Sequence, residues 1–355
     1  MASLSSLNSP SNISHTTALS TMKSILFIGG TGYIGGPILS RFIERDNSNL
    51  NLTALIRSPE KADKLRKLNL RGLNVVIGSH HDATLVERLV SEADVVFSMA
   101  DCDDLQAARS ILRGVKRRFE VTHVKPILIH MARTGCLGDG AQGAFSSETM
   151  YSDLDIAQIE TLPVTQPHRN VDLAIVEADS QGYTHRYIVL PGLVFGTPHG
   201  ILAREGVQNP TNLALTALIR ASFTRGAAGM RGDAKNIIAV ADVTEVADLV
   251  EILYDSVIAN KTEIGHGSNG YYFVSSADVL FENLVEVIES RAGKRRAFTQ
   301  EELDLYFPNL PSLQGFFGDN GRADSARSRA LGWKPVKATE EFLLALRDEV
   351  EHWQL

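Results

Sequence analysis

Cysteine is scarce in this chain: 355 residues contain two, Cys102 and Cys136. So small a number builds no disulfide framework and suits a reducing compartment. Long apolar runs are also missing. No stretch reaches the roughly 18 uninterrupted apolar residues of a membrane-spanning helix, so no membrane partner is expected. Net positive charge is lacking, since 35 Lys and Arg face 42 Asp and Glu for a formal charge of −7. Nucleic-acid binding needs clustered cations against phosphate, and the dense basic runs, RGVKRR at 113–118 and KRR at 294–296, read as solvated surface. The first 21 residues contain no Lys or Arg and no apolar core, which argues against a secretory signal or mitochondrial presequence. Rich in Ser, Thr and Asn, they read as a disordered extension. A cytoplasmic protein with a small-molecule partner is expected, and a homodimer is an allowed assembly.

What is present begins at Ser24–Gly36, SILFIGGTGYIGG. Four residues suited to a buried strand, Ile25 to Ile28, run directly into Gly29, Gly32 and Gly35. Apolar residues at Ile34, Ile38, Leu39, Phe42 and Ile43 then repeat with helical spacing. Strand, glycine turn and helix start is the geometry a dinucleotide diphosphate requires, because backbone must approach the phosphates and helix N–H groups must face them. Gly29, Thr31, Gly32, Tyr33, Ile34 and Gly35 are the expected contacts.

Strand and helix signals alternate onward. Strands are expected at 50–57, 74–78, 93–100, 126–132 and 183–190. Helices are expected at 59–68, from Asp82, at 105–119 and at about 168–180, with a long loop at 135–167. Apolar strands alternating with helices predict an α/β, Rossmann-type doubly wound parallel sheet. The domain reading is a dinucleotide-binding unit at 22–190 and a smaller C-terminal substrate-capping lobe over 191–355. Some segments of the latter, about 237–258, return to the first unit. Further helices are expected near 211–225, 243–259, 276–292 and 339–353, with short strands at 237–240 and 271–274.

The second strand ends Ala54-Leu55-Ile56-Arg57, with Lys61 one turn onward. An NAD site usually has an acid there for the ribose hydroxyls, whereas a cation serves a 2′-phosphate. NADP is therefore the expected cofactor, held at the phosphate by Arg57 and Lys61. Asp82 stands where adenine would reach and equally suits an N-cap.

IGGTGYIGG at 28–36, ADVVFSMA at 93–100, ILIHMARTG at 127–135, VLPGLVFGTP at 189–198 and GWKP at 332–335 together resemble the extended and atypical short-chain dehydrogenase/reductase superfamily, the NAD-dependent epimerase/dehydratase-like proteins. The segment HRNVDLAI is similar to one in uncharacterised fungal members often placed in secondary-metabolite pathways. The resemblance implies that the loop after the sixth strand, with Gly192 and Val194, lies beside the nicotinamide, and that Ala100 borders the cofactor. It also implies a Ser or Thr at the end of the fifth strand and a Tyr-x-x-x-Lys on the next helix. This chain has Ala132, His168 and Asp172 at those positions.

The cofactor half of the pattern is kept and the proton relay is replaced. His168 and Asp172, four residues apart, predict a carboxylate-supported imidazolium on one helix face, with Thr134 supplying the hydroxyl that Ala132 cannot. The expected activity is NADP(H)-dependent reduction of a carbonyl or enone. The alternatives are a cofactor-dependent epimerase, isomerase or dehydratase, and a non-catalytic NADP-sensing protein. Tyr151 in the long loop is a further candidate phenol. Cys102 shows no base partner, the acids of DCDD at 101–104 read chiefly as a helix cap, and the His80–His81 pair lacks further ligands nearby, so no metal site is expected.

Overall fold

The computed structural model describes residues 22–46, 48–261, 264–308 and 310–354; the extension read at 1–21 lies outside them. Strand β1 (Lys23–Ile28) leads through α1 (Gly35–Glu44), β2 (Leu50–Ile56), α2 (Pro59–Lys67), β3 (Leu73–Ile77), α3 (Ala83–Ser91), β4 (Val95–Ser98) and α4 (Leu105–Thr122) to β5 (Ile127–Met131). Helix α5 (Arg169–Ser180), β6 (His185–Pro191) and, much later, β7 (Tyr271–Val274) complete the main unit. The seven strands are ordered β3-β2-β1-β4-β5-β6-β7 and every neighbouring pair is parallel. The expected doubly wound parallel sheet is thus the observed fold.

The local signals act as their chemistry dictates. Ser58 caps α2 by accepting from Lys61 N at 3.3 Å, with Pro59 in the first turn. Asp104 caps α4 by accepting from the amides of Gln106 and Ala107. On one face of the sheet Phe27 stacks on Phe97 at 4.7 Å, while Phe42 of α1 meets Tyr254 edge-on at 4.8 Å. Tyr254 belongs to the helix Val243–Ile258, which packs along α1 and is tied to it by Arg41 with Asp248 and Glu251.

After Pro191 the chain alternates between two bodies. Leu193–Phe195, Ile237–Asp242 and Ala277–Leu280 form a separate three-stranded sheet with Ile237–Asp242 in the middle. Phe195, Phe281, Phe298, Phe307, Phe317 and Phe342 fill a second core beside it. The stretch read as helix from 276 begins instead as a strand, because Ile237–Val240 offers an open edge to which residues 277–280 pair antiparallel. Only Phe281–Ala292 is helical.

The long loop is pinned from within. Met150–Ser152 pairs with Arg322–Asp324, and the fully buried Asp153 accepts amide hydrogens from Phe273, Arg327 and Ser328. The GWKP turn clips the tail to the main unit. Trp333 Nε1 donates to Glu245 O at 2.8 Å, and the Val336 and Lys337 amides donate to Glu245 Oε1. Among the described residues no helix is long and apolar enough to cross a membrane.

Replacing Phe97, fully buried between Phe27 and Phe42, by Ala is expected to cost about 3–5 kcal/mol in urea denaturation. A loss under about 1 kcal/mol would show that this cluster does not bind α1 to the sheet.

Candidate functional site

The site lies at the C-terminal ends of β1, β4, β5 and β6. Gly29 has φ +90°, and a Cβ there would stand 2.5 Å from the Met99 carbonyl carbon. At Gly35 a Cβ would stand 2.3 Å from Gly29 O. Backbone can make this turn only without side chains, which brings the start of α1 against β4. Ile34, in the cap position, offers no side-chain acceptor, and the first turn of α1 has no acid. Gly36 N donates to Gly32 O at 3.0 Å and Pro37 has no N–H, so among the described residues it is the amides of Tyr33, Ile34 and Gly35, leading into α1, that are open to an external anion, and a dinucleotide diphosphate fits there.

Gly29, Thr31 and Gly32 share a cavity with Arg57, Lys61, Ala100 and Asn209. Arg57 ends β2 and is exposed. Lys61 Nζ donates to Asn209 Oδ1 at 2.8 Å, and Asn209 N donates to Thr31 O at 3.0 Å. Partial burial, then the like charge of Arg57, hold the Lys61 ammonium below its ordinary range. Tyr33 donates its hydroxyl to Gly196 O at 2.6 Å, which commits it. Asp82 is a correction: its carboxylate accepts from Leu85 N as the cap of α3 and is not part of the cavity wall, where Gly78 and His80 stand instead.

A second cavity of about 220 Å³ continues past Gly35 and Ala100 to Thr134, His168, Gly192 and Val194. Gly192 is required there, because a Cβ would stand 2.3 Å from Ala239 O. Thr134 is buried at its wall, and Ala132 is wholly enclosed beneath. His168 precedes α5 with φ +68°, in the left-handed region. That conformation turns the imidazole off the helical register, so its carboxylate partner is Asp103 and not the expected Asp172. Nδ1 donates to Asp103 Oδ1 at 2.7 Å, and the His168 amide donates to the same oxygen at 3.2 Å. On the other edge of the ring Nε2 faces Gly135, where a Cβ would be 3.0 Å away.

Burial opposes charge on His168, but the bonds to Asp103 and Cys102 outweigh it and bring its pKa up to about 10. Burial likewise works against ionised Asp103, and His168 more than compensates, holding that carboxyl below its ordinary value. Asp172 points into the core beneath α5. Burial lifts it to about 7 against the opposing charges of His168, Arg169 and Arg186, and neither oxygen has a hydrogen-bond partner among the described residues. His130 lies wholly buried with Nδ1 3.2 Å from Ser98 Oγ; burial and then the His168 charge push it down to about 3, so it is neutral.

Other expectations change with the third dimension. Cys102 does have a histidine beside it, with its Sγ 3.3 Å from His168 Nδ1, but that nitrogen's proton goes to Asp103. The His80–His81 pair has a third candidate ligand, Asp104, whose Oδ2 is 3.0 Å from His81 Nδ1 while Oδ1 caps α4. Tyr151 is held in the strand pair with residues 322–324 and does not line the cavity. Sequence reasoning missed Asp103, Asn209 and Arg133. DCDD after β4 was the available signal for Asp103; Arg133 stands within ILIHMARTG, where only Ala132 and Thr134 drew notice, and Asn209 stands in no motif.

Fold and glycine-lined loop define a Rossmann-type protein shaped to receive a nucleotide cofactor. Residues 21–124 match the NmrA-like family. The chain is 25% identical over 334 residues to the Acremonium sp. protein named oxidase ucsJ, spanning 88% of this chain and 93% of that one. It is 27% identical over 110 residues to phenylcoumaran benzylic ether reductase Pyrc5 of Pyrus communis, 30% of this chain and 36% of that one. Among solved structures, dTDP-glucose 4,6-dehydratase from Bacillus anthracis str. Ames in complex with NAD is similar at TM-score 0.60 and 13% identity, covering 93% of this chain and 96% of that one. The resemblance to extended short-chain dehydrogenase/reductase proteins therefore holds as one of fold.

A folded-state pKa raised above the ordinary 6.5 stabilises the fold fully below pH 6.5, and that contribution is lost as pH rises towards 10. The stability difference between the protein and its His168→Gln variant is accordingly expected to narrow from pH 6 to pH 10 in urea denaturation. A constant difference would refute the buried imidazolium.

Proposed function

We propose that this protein is an NADP(H)-dependent oxidoreductase that reduces a carbonyl or conjugated C=C of a small organic molecule, with His168 as proton donor. One observation carries the reading: the only ionised carboxylate bonded to His168 among the described residues, Asp103, fixes Nδ1 at 2.7 Å and leaves Nε2 at the cavity that the glycine loop also borders. The names of the relatives, an oxidase and a benzylic ether reductase, support redox chemistry.

When bound, the reduced cofactor supplies the hydride. The chain's own residues then have three tasks. The amides at the start of α1, opened by Gly29 and Gly35, hold the diphosphate. Arg57, directly after β2, and Lys61, in the first turn of α2, line one cavity and suit a 2′-phosphate better than free ribose hydroxyls. His168, charged because Asp103 supports it, presents Nε2–H to the oxygen on which negative charge develops and gives up that proton. Thr134 at the wall adds a hydroxyl that orients this oxygen. Asp103 does not touch the reacting atoms; it positions the ring and holds its proton.

Arg57→Ser is expected to weaken NADPH binding roughly 10- to 100-fold, the loss of a charged hydrogen-bonding partner, with NADH little changed. Equal losses for both carriers in fluorescence titration would remove the 2′-phosphate assignment. His168→Gln is expected to lower kcat about 10²- to 10⁴-fold in assays of NADPH consumption across a carbonyl and enone panel. Asp103→Asn should instead move the alkaline limb of the pH–rate profile from near 10 towards the ordinary histidine range. Unaltered turnover in the first variant, or an unmoved limb in the second, would contradict the proton-donor role.

A further inference from the structure

The cavity beside His168 has an unusual charge balance for a chain of net −7. Its wall contains two groups that carry positive charge, Arg133 and His168, and no Asp or Glu. Arg133 stands two residues after β5 and is exposed. Among the described residues it makes no hydrogen bond and no ion pair. Asp103 feels its charge, and that carboxylate is already bonded to His168. Two cations against one carboxylate leave a surplus positive charge facing the cavity.

The apolar part of the lining is of different character. Leu193, Leu213, Ala214, Leu313 and Phe316 come from the C-terminal half and present hydrocarbon. A cation with an unmatched fork and a stretch of apolar wall in one cavity suit a ligand with an anionic head and an apolar body. Arg133 follows β5, two strands from the end of β1 that leads into the glycine loop, although both border this cavity.

We infer that the substrate is an organic acid with an apolar body of aromatic-ring size, whose carboxylate binds Arg133 while its reducible group lies at His168 Nε2. This rests on the reductase reading for the second half of the statement only; the carboxylate site is independent of turnover. Arg133 acts as a specificity residue. It fixes which end of the ligand enters first and leaves the proton transfer to His168. A guanidinium is better suited than an ammonium, since its two parallel N–H groups match both carboxylate oxygens.

The test uses the full chain loaded with NADP⁺, so that no turnover occurs, and three matched probes by calorimetric titration: benzoate, trans-cinnamate and phenylpyruvate, each beside its methyl ester. At least one acid is expected to bind roughly tenfold or more tightly than its ester, the range for a charge-assisted hydrogen-bond pair. Arg133→Gln should abolish that preference and Arg133→Lys should keep part of it, with NADP⁺ affinity unchanged in both. If no acid of the panel outbinds its ester, or if Arg133→Gln retains the preference, the inference is overturned. Acid binding through Arg133 with no NADPH consumption on any unsaturated or carbonyl acid would leave the carboxylate site standing and sink the reductase reading. NADPH consumption on neutral substrates with no acid preference would do the reverse.

Discussion

The close approach of main chain at the C-terminal edge of the sheet is the constraint from which this architecture follows. Gly29 touches the backbone of β4, Gly35 touches Gly29, and Gly192 touches the strand Ile237–Asp242. Each contact excludes even a methyl group. Together they draw β1, β4, β6 and the small sheet to one point, with the loop amides before α1 and two connected cavities above. A single Cβ at any of these positions would separate the segments by an ångström or more, and every distance in the site would change with them.

Upon that frame the chain places a charge where burial alone would forbid one. His168 is 4% exposed, and an isolated imidazolium at such depth would lose its proton. Asp103 reverses the balance because it accepts from both the ring and the amide of His168, so one carboxylate satisfies two donors. The neighbouring His130 shows the other outcome. Equally buried and without a carboxylate, it stays neutral. Two histidines within one site are thus separated in protonation by their partners, which lets one carry a proton while the other only fills space and meets Ser98.

Much of the fold was legible in the chain. Ile25–Ile28 with its glycines, Ser58-Pro59, Asp82 and the continuous strands of the first half all obey local rules, so their positions follow from composition and spacing. The site was legible only where it depends on backbone, as at Gly29 and Gly35. His168 stood out in the sequence, but its partner did not. Helical spacing pointed to Asp172, and the left-handed turn at His168 broke that periodicity before it began. Asp103, 65 residues away in the chain, meets His168 because the start of α5 packs beside the start of α4 on the sheet. No local pattern encodes such a pairing. The start of residues 277–280 as a strand failed to show for the same reason: its preference was set by an edge supplied from residues 237–240.

The two halves of the chain are also inseparable at the cavity, and this bears on what kind of protein it is. Gly32 to Gly35 and His168 come from the first half, whereas Asn209, Leu213, Leu313 and Phe316 come from the second. Asn209 reaches across to Lys61 and Thr31, so the cofactor cavity too is closed by the later segment. The clip of Trp333, Val336 and Lys337 on Glu245 then fixes the tail to the helix that packs on α1. A module that only registered a dinucleotide would need the amide-lined loop and its cations. It would have no use for an apolar wall assembled from residues more than 200 positions along the chain and held in register by buried hydrogen bonds. That wall encloses space beyond the dinucleotide contacts, next to the His168 imidazolium, which is where a second small molecule would have to lie for chemistry to occur.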